Sequence, residues 1–377
     1  MFVDFHWHAR DWEENAKETV RHSLEVAEAA GLDAIAAMPN TTPPLLDLET
    51  CQRYLSLAPR DSRVLFFVHI GLTPDVEQVK RAVEATRSEP RIIGLKAYWG
   101  SSTGNLLIGK KEEQIGVFET LVREGYEGVL VGHFEDDGGI RKELYDPNNP
   151  RTWNTLCRPE IVEISSYKKV LDVAEKARAV VEVSRQVTED GKVQIVKSLE
   201  EVGYKGKLHI AHVSTLPVVD AIANYEGPLK LTCGVSPNHF IFNDDALQGP
   251  DGRYRKCNPP VRAEATRAGL LERLLKGFIN NVESDHAPHR EASKSGPMPA
   301  SGIASGTVFP YVFKFLRDQG MFPSLLVDVL YSNALKLYNM KIEKKGIRPN
   351  LKKLEELQKF YPVDSFAEFK RQYRPDF

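Results

Sequence analysis

The chain has 377 residues, of which 42% are hydrophobic and 27% are charged, and its formal net charge is −2. This length allows one large barrel or two ordinary domains, and the near-neutral charge gives no reason to expect nucleic acid or a membrane surface as a partner. The sequence has no apolar run long enough to span a membrane and no secretory signal at its start, which predicts a cytoplasmic protein. Its four cysteines are scattered, which argues against a disulfide framework and against a thiolate zinc site.

Apolar runs alternate with helical patterns along the chain. The sequence predicts eight strands, at residues 3–7, 33–38, 64–70, 92–98, 129–134, 208–213, 229–235 and 278–284. It predicts intervening helices at 13–30, 48–57, 74–86, 112–124, 167–187, 193–202, 216–223 and 263–276, and later ones at 309–316, 325–337 and 351–359. This alternation predicts an α/β fold, a (β/α)8 TIM-type barrel over residues 1–340, with a C-terminal helical extension over 341–377 that packs on the barrel or trails from it. A doubly wound sheet, the structural alternative, would need a glycine-rich phosphate turn after its first strand, and the sequence has none there.

Three irregular segments interrupt this pattern. Residues 135–165 and 236–262 form long connections, which are more often functional loops or lids than ordinary linkers. Residues 291–306 are rich in Ser, Gly, Pro and Ala and are predicted to form a loop over the site.

Six residues with metal-binding or acid–base side chains fall where predicted strands end: His6, His8, Lys96, His133, His212 and Asp285. Barrels carry their chemistry at the carboxyl ends of the strands, so we expect these side chains to share one site. The alternative is six separate structural residues, with the first two histidines near a frayed terminus and the lysine in a salt bridge. Their common position at strand ends disfavours that alternative.

Four imidazoles and one carboxylate are ligands that suit zinc. Lys96 fits the same site if burial removes its proton, because a neutral amine can add carbon dioxide to become a carbamate. A carbamate has two oxygens and could bridge two metals about 3.5–4 Å apart, which would activate a hydroxide and polarise a carbonyl. His289 follows an Ala-Pro turn and is predicted to hold a substrate at the mouth. The other histidines are predicted to be structural: His22, His69, His209, His239 and His286.

Seven segments together resemble the amidohydrolase superfamily, and within it the dihydroorotases. They are His6 to Arg10, Ala37 to Thr41, Gly94 to Lys96, Gly132 to Glu135, His209 to Thr215, Asn258 to Arg262 and Ser284 to His289. They occur in the order found in that group and span most of the chain. Many such proteins carry a small β-sandwich built from both chain ends, but here His6 comes too early and the last stretch is helical and charged. We therefore expect a barrel without a complete β-sandwich.

The resemblance implies a zinc-dependent enzyme that interconverts dihydroorotate and N-carbamoyl-L-aspartate in pyrimidine biosynthesis. It implies one Zn²⁺ held by His6, His8, Lys96 and Asp285 with a bridging hydroxide, and a second Zn²⁺ held by the Lys96 carbamate, His133 and His212. Asp285 would also take the proton of the hydroxide and pass it to the departing amide nitrogen. Arg10 and Asn40 would bind the substrate carboxylate, helped by His289 and Asn258.

Alternative functions stay open at this point. A hydantoinase or allantoinase has similar motifs, but Arg10 favours a substrate with a carboxylate, which a guanidinium grips with two parallel hydrogen bonds. A non-catalytic scaffold homologue is disfavoured because all six ligand-type residues are present. Asp136 and Asp137 offer further carboxylates for a different metal arrangement. The expected partner is a small-molecule substrate, with neither nucleic acid nor membrane, and a homodimer is left open.

Overall fold

A computed structural model describes residues 2–101, 106–189, 192–249 and 251–376. Its ten strands are β1 Phe2–Trp7, β2 Leu32–Ala37, β3 Leu65–Gly71, β4 Ile92–Tyr98, β5 Val129–His133, β6 Arg178–Glu189, β7 Lys192–Gly203, β8 Lys207–Ile210, β9 Lys230–Val235 and β10 Asn281–Val282. Eight of them form one sheet in the order β1-β2-β3-β4-β5-β8-β9-β10, and β6 pairs with β7 in a separate hairpin.

The helices surround this sheet. They are α1 Val20–Ala30, α2 Leu48–Leu55, α3 Val76–Ser88, α4 Lys111–Arg123, α5 Glu160–Lys176, α6 Leu216–Ala223, α7 Pro237–Ile241, α8 Glu264–Leu275, α9 Glu291–Lys294, α10 Phe309–Asp318, α11 Pro323–Val327, α12 Asn333–Leu337, α13 Leu351–Gln358 and α14 Ala367–Gln372. None of the described helices is long and apolar enough to cross a membrane. The cytoplasmic location stays a prediction.

All neighbouring pairs in the eight-stranded sheet are parallel, and its two edges nearly meet. Trp7 forms a parallel bridge with His286, and the backbone N–H of His8 donates to the carbonyl of His286 at 2.8 Å. Asp4 accepts from the backbone N–H of Ser284 at 3.2 Å, which ties the first strand to the last. These contacts confirm the predicted barrel, and the only other sheet among the described residues is the hairpin, so they contain no β-sandwich.

Local sequence explains where the elements begin and end. In α1, the Thr19 hydroxyl accepts from the backbone N–H of His22, and Gly31 ends the helix in the left-handed conformation with φ +84°. Strand β2 has the sequence Leu-Asp-Ala-Ile-Ala-Ala and is buried throughout, as expected of a parallel strand covered on both faces. The first helix begins later than predicted because residues 11–19 form a turn, in which the Asp11 carboxylate accepts from the N–H of Val20 at 2.9 Å.

The prediction of two helices at 167–187 and 193–202 is wrong over most of its length. Helix α5 ends at Lys176, and β6 and β7 then pair residue by residue as an antiparallel hairpin. The physical reason lies in residues 178–183, Arg-Ala-Val-Val-Glu-Val, which are rich in β-branched side chains that favour an extended backbone.

The C-terminal residues pack against the barrel. Phe366 and Phe369 are buried, and the ammonium of Lys370 donates to the Thr307 hydroxyl at 2.7 Å. The predicted helix at 325–337 is present as α11 and α12, joined by a π-helical turn over Asp328–Ser332. The division of the chain at residue 340 stays a prediction.

Candidate active site

Nine of the ten predicted site residues line one cavity at the carboxyl ends of the barrel strands. They are Arg10, Asn40, Asn258 and the six ligand-type residues His6, His8, Lys96, His133, His212 and Asp285. Tyr98, Ala287, Ser301 and Gly302 complete the wall. The tertiary structure therefore brings together residues that are up to 279 positions apart, as His6 and Asp285 are.

His6, His8 and Asp285 form the tightest group, with one ligand atom from each residue within 4.8 Å of the others. Asp285 Oδ1 lies 3.5 Å from His6 Nε2 and 3.1 Å from His8 Nε2. His8 Nδ1 donates to Asn40 Oδ1 at 2.8 Å, so the lone pair of this ring is on Nε2, facing the carboxylate. Asn40 thus orients a ligand-type side chain as well as lining the cavity.

His133 and His212 form a second pair in the same cavity. His133 Nδ1 lies 3.2 Å from His212 Nε2, and the two ring centroids are 4.9 Å apart. His133 Nε2 donates to Glu135 Oε2 at 2.8 Å, which leaves the lone pair of Nδ1 pointing at His212. Arg158 pairs with the same Glu135 carboxylate and holds it in place. The His6 and His212 rings are 5.0 Å apart, so the two groups of ligands adjoin.

Lys96 lines the same cavity, is fully buried, and its ammonium has no hydrogen-bond partner. Burial lowers the pKa of Lys96 to about 8, although the carboxylates of Glu283 and Asp285 oppose that shift. This shift favours the neutral amine. The neutral amine is the form that can add carbon dioxide.

The imidazoles of the site are held neutral. Burial lowers the pKa of His6 to about 4, and it also lowers the pKa values of His8 and His212 well below their usual range. Burial raises the pKa of Asp285, while His6 and Lys96 act in the opposite direction. Neutral imidazoles with free lone pairs, a carboxylate and an unpartnered amine are a donor set that fits divalent cations.

Two of these residues have an unusual backbone conformation. His212 has φ +38° and Asp285 has φ +50°, in the left-handed region that non-glycine residues rarely adopt. Asp285 follows β10 and His212 follows β8, so each turns its side chain into the cavity where the strand ends. Such strain is typical of functional sites.

Arg10 is 1% exposed and forms part of the cavity wall. Its Nη1 lies 3.3 Å from Glu14 Oε2 and donates to the carbonyl of Asn40 at 3.4 Å. Lys17 also binds the Glu14 carboxylate, at 2.6 Å. Arg10 is therefore in a buried ion pair at the site.

His289 is the predicted site residue that does not line the cavity. Its Nε2 donates to the carbonyl of Ser301 at 2.9 Å, and it packs behind Gly302. Gly302 has φ +143°, and a Cβ there would lie 2.8 Å from His289 Cδ2. His289 thus supports the loop over the site, and that loop is further held by hydrogen bonds from Lys256 to Pro299 and from Lys294 to Gly302, both 2.6 Å.

The other candidates from sequence point elsewhere. Asp136 pairs with Lys169 at 2.6 Å, and Asp137 accepts from the backbone N–H of Ser101 at 2.9 Å, so neither adds a carboxylate to the cavity wall. The five remaining histidines also lie outside the wall. His286, for example, is bound by the Glu18 carboxylate at 3.2 Å and stacks against Trp7.

Sequence reasoning missed several residues that shape the site. Tyr98 and Glu135 each lie two positions after a ligand-type residue, a spacing that puts side chains on the same face of a strand and could have revealed them. Glu283 lies 3.7 Å from His6 Nδ1 and 3.3 Å from His209 Nε2. No short-range pattern signals Glu14 or Glu283, because their partners are defined only by the fold.

Comparisons with known proteins agree with this geometry. No family model matches the chain. A dihydroorotase from Lactobacillus leichmannii is 26% identical over 344 residues, an alignment that covers 90% of this chain and 72% of that protein. An L-hydantoinase from Arthrobacter aurescens superposes with a TM-score of 0.74 at 21% identity, over 92% of this chain and 73% of that one. A dihydroorotase from Campylobacter jejuni superposes with a TM-score of 0.63 at 20% identity, over 91% and 84%. The predicted resemblance is thus confirmed, and the structural matches confirm the barrel fold.

Proposed function

We propose that this chain is a metal-dependent dihydroorotase, a hydrolase that opens and closes the cyclic amide of dihydroorotate to interconvert it with N-carbamoyl-L-aspartate. The curated dihydroorotase relatives support the reaction class. The choice of this substrate rests on the position of Arg10. Its buried guanidinium lies in the wall of the cavity that also holds His6, His8 and Asp285. A cyclic amide that bears a carboxylate fits both features, because its carboxylate would pair with the guanidinium and its amide would lie at the ligand-type residues.

The residues present fit two Zn²⁺ ions. His6, His8 and Asp285 would hold one, His133 and His212 the other, and Lys96 would contact both as a carbamate formed with carbon dioxide. Such a pair of cations supplies a nucleophile at neutral pH and polarises the scissile carbonyl. Glu135 and Asn40 fix the tautomers of His133 and His8, so the lone pairs point into the cavity before any ligand arrives.

Asp285 is the residue we assign to proton transfer. Its carboxylate is buried, and burial raises its pKa above the ordinary value for an aspartate. A carboxylate of raised proton affinity can accept a proton during attack on the carbonyl and return it to the departing amide nitrogen.

Substrate recognition is assigned to Arg10, Asn40 and Asn258. The guanidinium would bind the substrate carboxylate through charge-assisted hydrogen bonds, away from the bond that breaks. Asn258 has a buried side-chain oxygen with no hydrogen-bond partner and is free to accept from a ring N–H. His289 would contribute indirectly, by holding Ser301 and Gly302 at the cavity wall.

Assays of ring opening and closure on purified protein test this function. We expect turnover of dihydroorotate and N-carbamoyl-L-aspartate, about two zinc ions per chain, and loss of activity on chelation that added zinc restores. Turnover of hydantoin or allantoin without turnover of dihydroorotate would favour the alternative enzymes. A chain that contains no metal and turns over none of these compounds would favour the scaffold.

A further inference from the structure

The β6–β7 hairpin projects from the barrel with one side packed and one side open. Strand β6 packs on α4, and Ala179, Val181 and Val202 on the inner face are wholly or partly buried. Among the described residues, β7 pairs with β6 alone, so the outer edge of this twelve-residue strand is unpaired. A long open edge offers a row of free N–H and C=O groups to another strand.

The outer face of the hairpin carries three exposed apolar side chains among its polar ones. Val180, Ile195 and Leu199 are exposed by 63%, 68% and 76%. A two-stranded sheet in water is marginally stable by itself, and three or more strands give independent stability. The hairpin therefore has both an edge and a face that a further strand would stabilise.

The charges of β7 fit a second copy of the same strand. When a strand pairs antiparallel with its own copy about a two-fold axis through one residue, positions at equal distances before and after that residue lie opposite each other. With Leu199 at the axis, Lys197 of each copy lies opposite Glu201 of the other, on the exposed face. The two leucines then face each other between two pairs of opposite charge.

We propose that the chain forms a homodimer through antiparallel pairing of the β7 edges, centred on Leu199. The result is a four-stranded sheet, β6-β7 of one protomer followed by β7-β6 of its partner. Pairing of one strand edge makes a small interface, so we expect a dimer that dissociates on dilution. This proposal does not depend on the proposed activity, and it fails or holds independently of it.

A cysteine placed on the axis tests the register directly. Residues directly opposite in an antiparallel pair have Cα atoms about 4.5–5.5 Å apart, which a disulfide spans without backbone movement. Leu199→Cys is therefore expected to form a covalent dimer under mild oxidation, seen on a non-reducing gel and reversed by thiol. The four native cysteines are buried and do not interfere.

Ile195→Cys is the matched control, because Ile195 is about as exposed as Leu199 and lies on the same face of the same strand. In the proposed register it faces Gly203 of the partner, and the two copies of residue 195 are about 26 Å apart. Cross-linking at Leu199→Cys but not at Ile195→Cys supports the proposal. Equal cross-linking of both variants, or of neither, overturns it.

Charge reversal gives a second measurement on the uncrosslinked protein. Lys197→Glu places like charges opposite each other twice, and we expect the dimer Kd from sedimentation to rise about tenfold. The double variant Lys197→Glu with Glu201→Lys is expected to restore the Kd. Glu182→Gln removes the partner of Lys197 inside the hairpin, at 2.8 Å, and is expected to leave the Kd unchanged. A wild-type chain that stays monomeric, or a double variant as weak as the single one, contradicts the pairing.

Discussion

At the scale of single residues, the feature that distinguishes this site is a lysine with no partner. Buried lysines in proteins are ordinarily paired, because an isolated ammonium is costly to desolvate. The Nζ of Lys96 has no hydrogen-bond partner and lies 5.1 Å from the centre of the Tyr98 ring. A carbamate that binds two cations would satisfy this group, and the prediction from sequence that Lys96 belongs to the metal site has this physical support.

Lys96→Ala is expected to lower kcat by about a hundredfold or more, because the proposed carbamate link between the two cations would be lost. Metal content measured with the assay should fall as well, and short carboxylic acids should restore part of the activity by replacing the carbamate. Lys110→Ala, at a lysine whose side chain is 80% exposed, serves as the control and should behave as wild type. Normal metal content with no rescue would contradict a bridging role.

Arg10→Ala is expected to raise KM for dihydroorotate about 10- to 100-fold with a smaller change in kcat, because the guanidinium binds a part of the substrate remote from the scissile bond. Arg10→Lys keeps the charge but loses the two-bond fork, so its KM should lie between those of the wild type and the alanine variant. Steady-state kinetics of both variants measure these KM and kcat values. Arg63→Ala, at an exposed arginine, is the control, and an unchanged KM in Arg10→Ala would count against carboxylate recognition.

At the scale of elements, one buried carboxylate joins three separate segments. Glu18, just before α1, binds His286 beside the site and accepts from the hydroxyl of Tyr361 in the C-terminal extension. It also binds His22 at 3.0 Å. The extension is therefore attached to the residue that follows Asp285 in the chain.

Glu18→Gln is expected to destabilise the fold by about 1–3 kcal/mol at pH 7. Burial alone would raise the pKa of Glu18, but His286 and His22 hold it well below its usual value of 4.5. A lowered folded-state pKa adds stability above pH 4.5, and this contribution is lost as the pH falls further. Urea unfolding should therefore show a smaller difference in the free energy of unfolding between wild type and Glu18→Gln at pH 4 than at pH 7.

The control for this comparison is Glu25→Gln, at an exposed glutamate of α1, which should change stability by less than about 0.5 kcal/mol at either pH. A Glu18→Gln variant as stable as wild type at pH 7 would show that the contacts of Glu18 with the three segments contribute little to the free energy of unfolding.

At the scale of the whole molecule, the proposed metal site takes its ligands from both edges of the barrel sheet. Its ligand-type residues come from β1, β4 and β5 and from the segments after β1, β8 and β10, so bound cations would connect both edges of the sheet. The last strand has only two residues in β conformation, and closure relies on the contacts of Asp4, Trp7 and His8 with the segment after β10.

Removal of metal is expected to lower the Tm by several degrees, because a ligand that binds only the folded state stabilises it in proportion to its binding free energy. Thermal unfolding of zinc-loaded and chelated protein measures this shift. The shift should be smaller in Lys96→Ala, which binds metal more weakly. Equal Tm values for loaded and metal-free protein would contradict a structural contribution of the cations.

The sequence by itself predicted the barrel and nine of the residues that line the cavity at its mouth. Apolar runs with helical patterns between them are local signals, and all eight barrel strands appear within a few residues of their predicted positions. His6 and His8 share a face because side chains alternate along a strand. The place of the remaining ligand-type residues followed from a general property of barrels, that strand ends meet at one rim.

Only the tertiary structure shows which carboxylates contact the site residues and which secondary structure residues 178–203 form. Glu14 and Glu283 act through distances of a few ångströms that no sequence pattern records. The β-branched residues of 178–183 favour an extended backbone, and the pairing of β6 with β7 and the packing of β6 on α4 select the hairpin over the predicted helices. The sequence predicted that His289 holds a substrate at the mouth, but its orientation behind Gly302 depends on a backbone conformation of that glycine which only the fold defines.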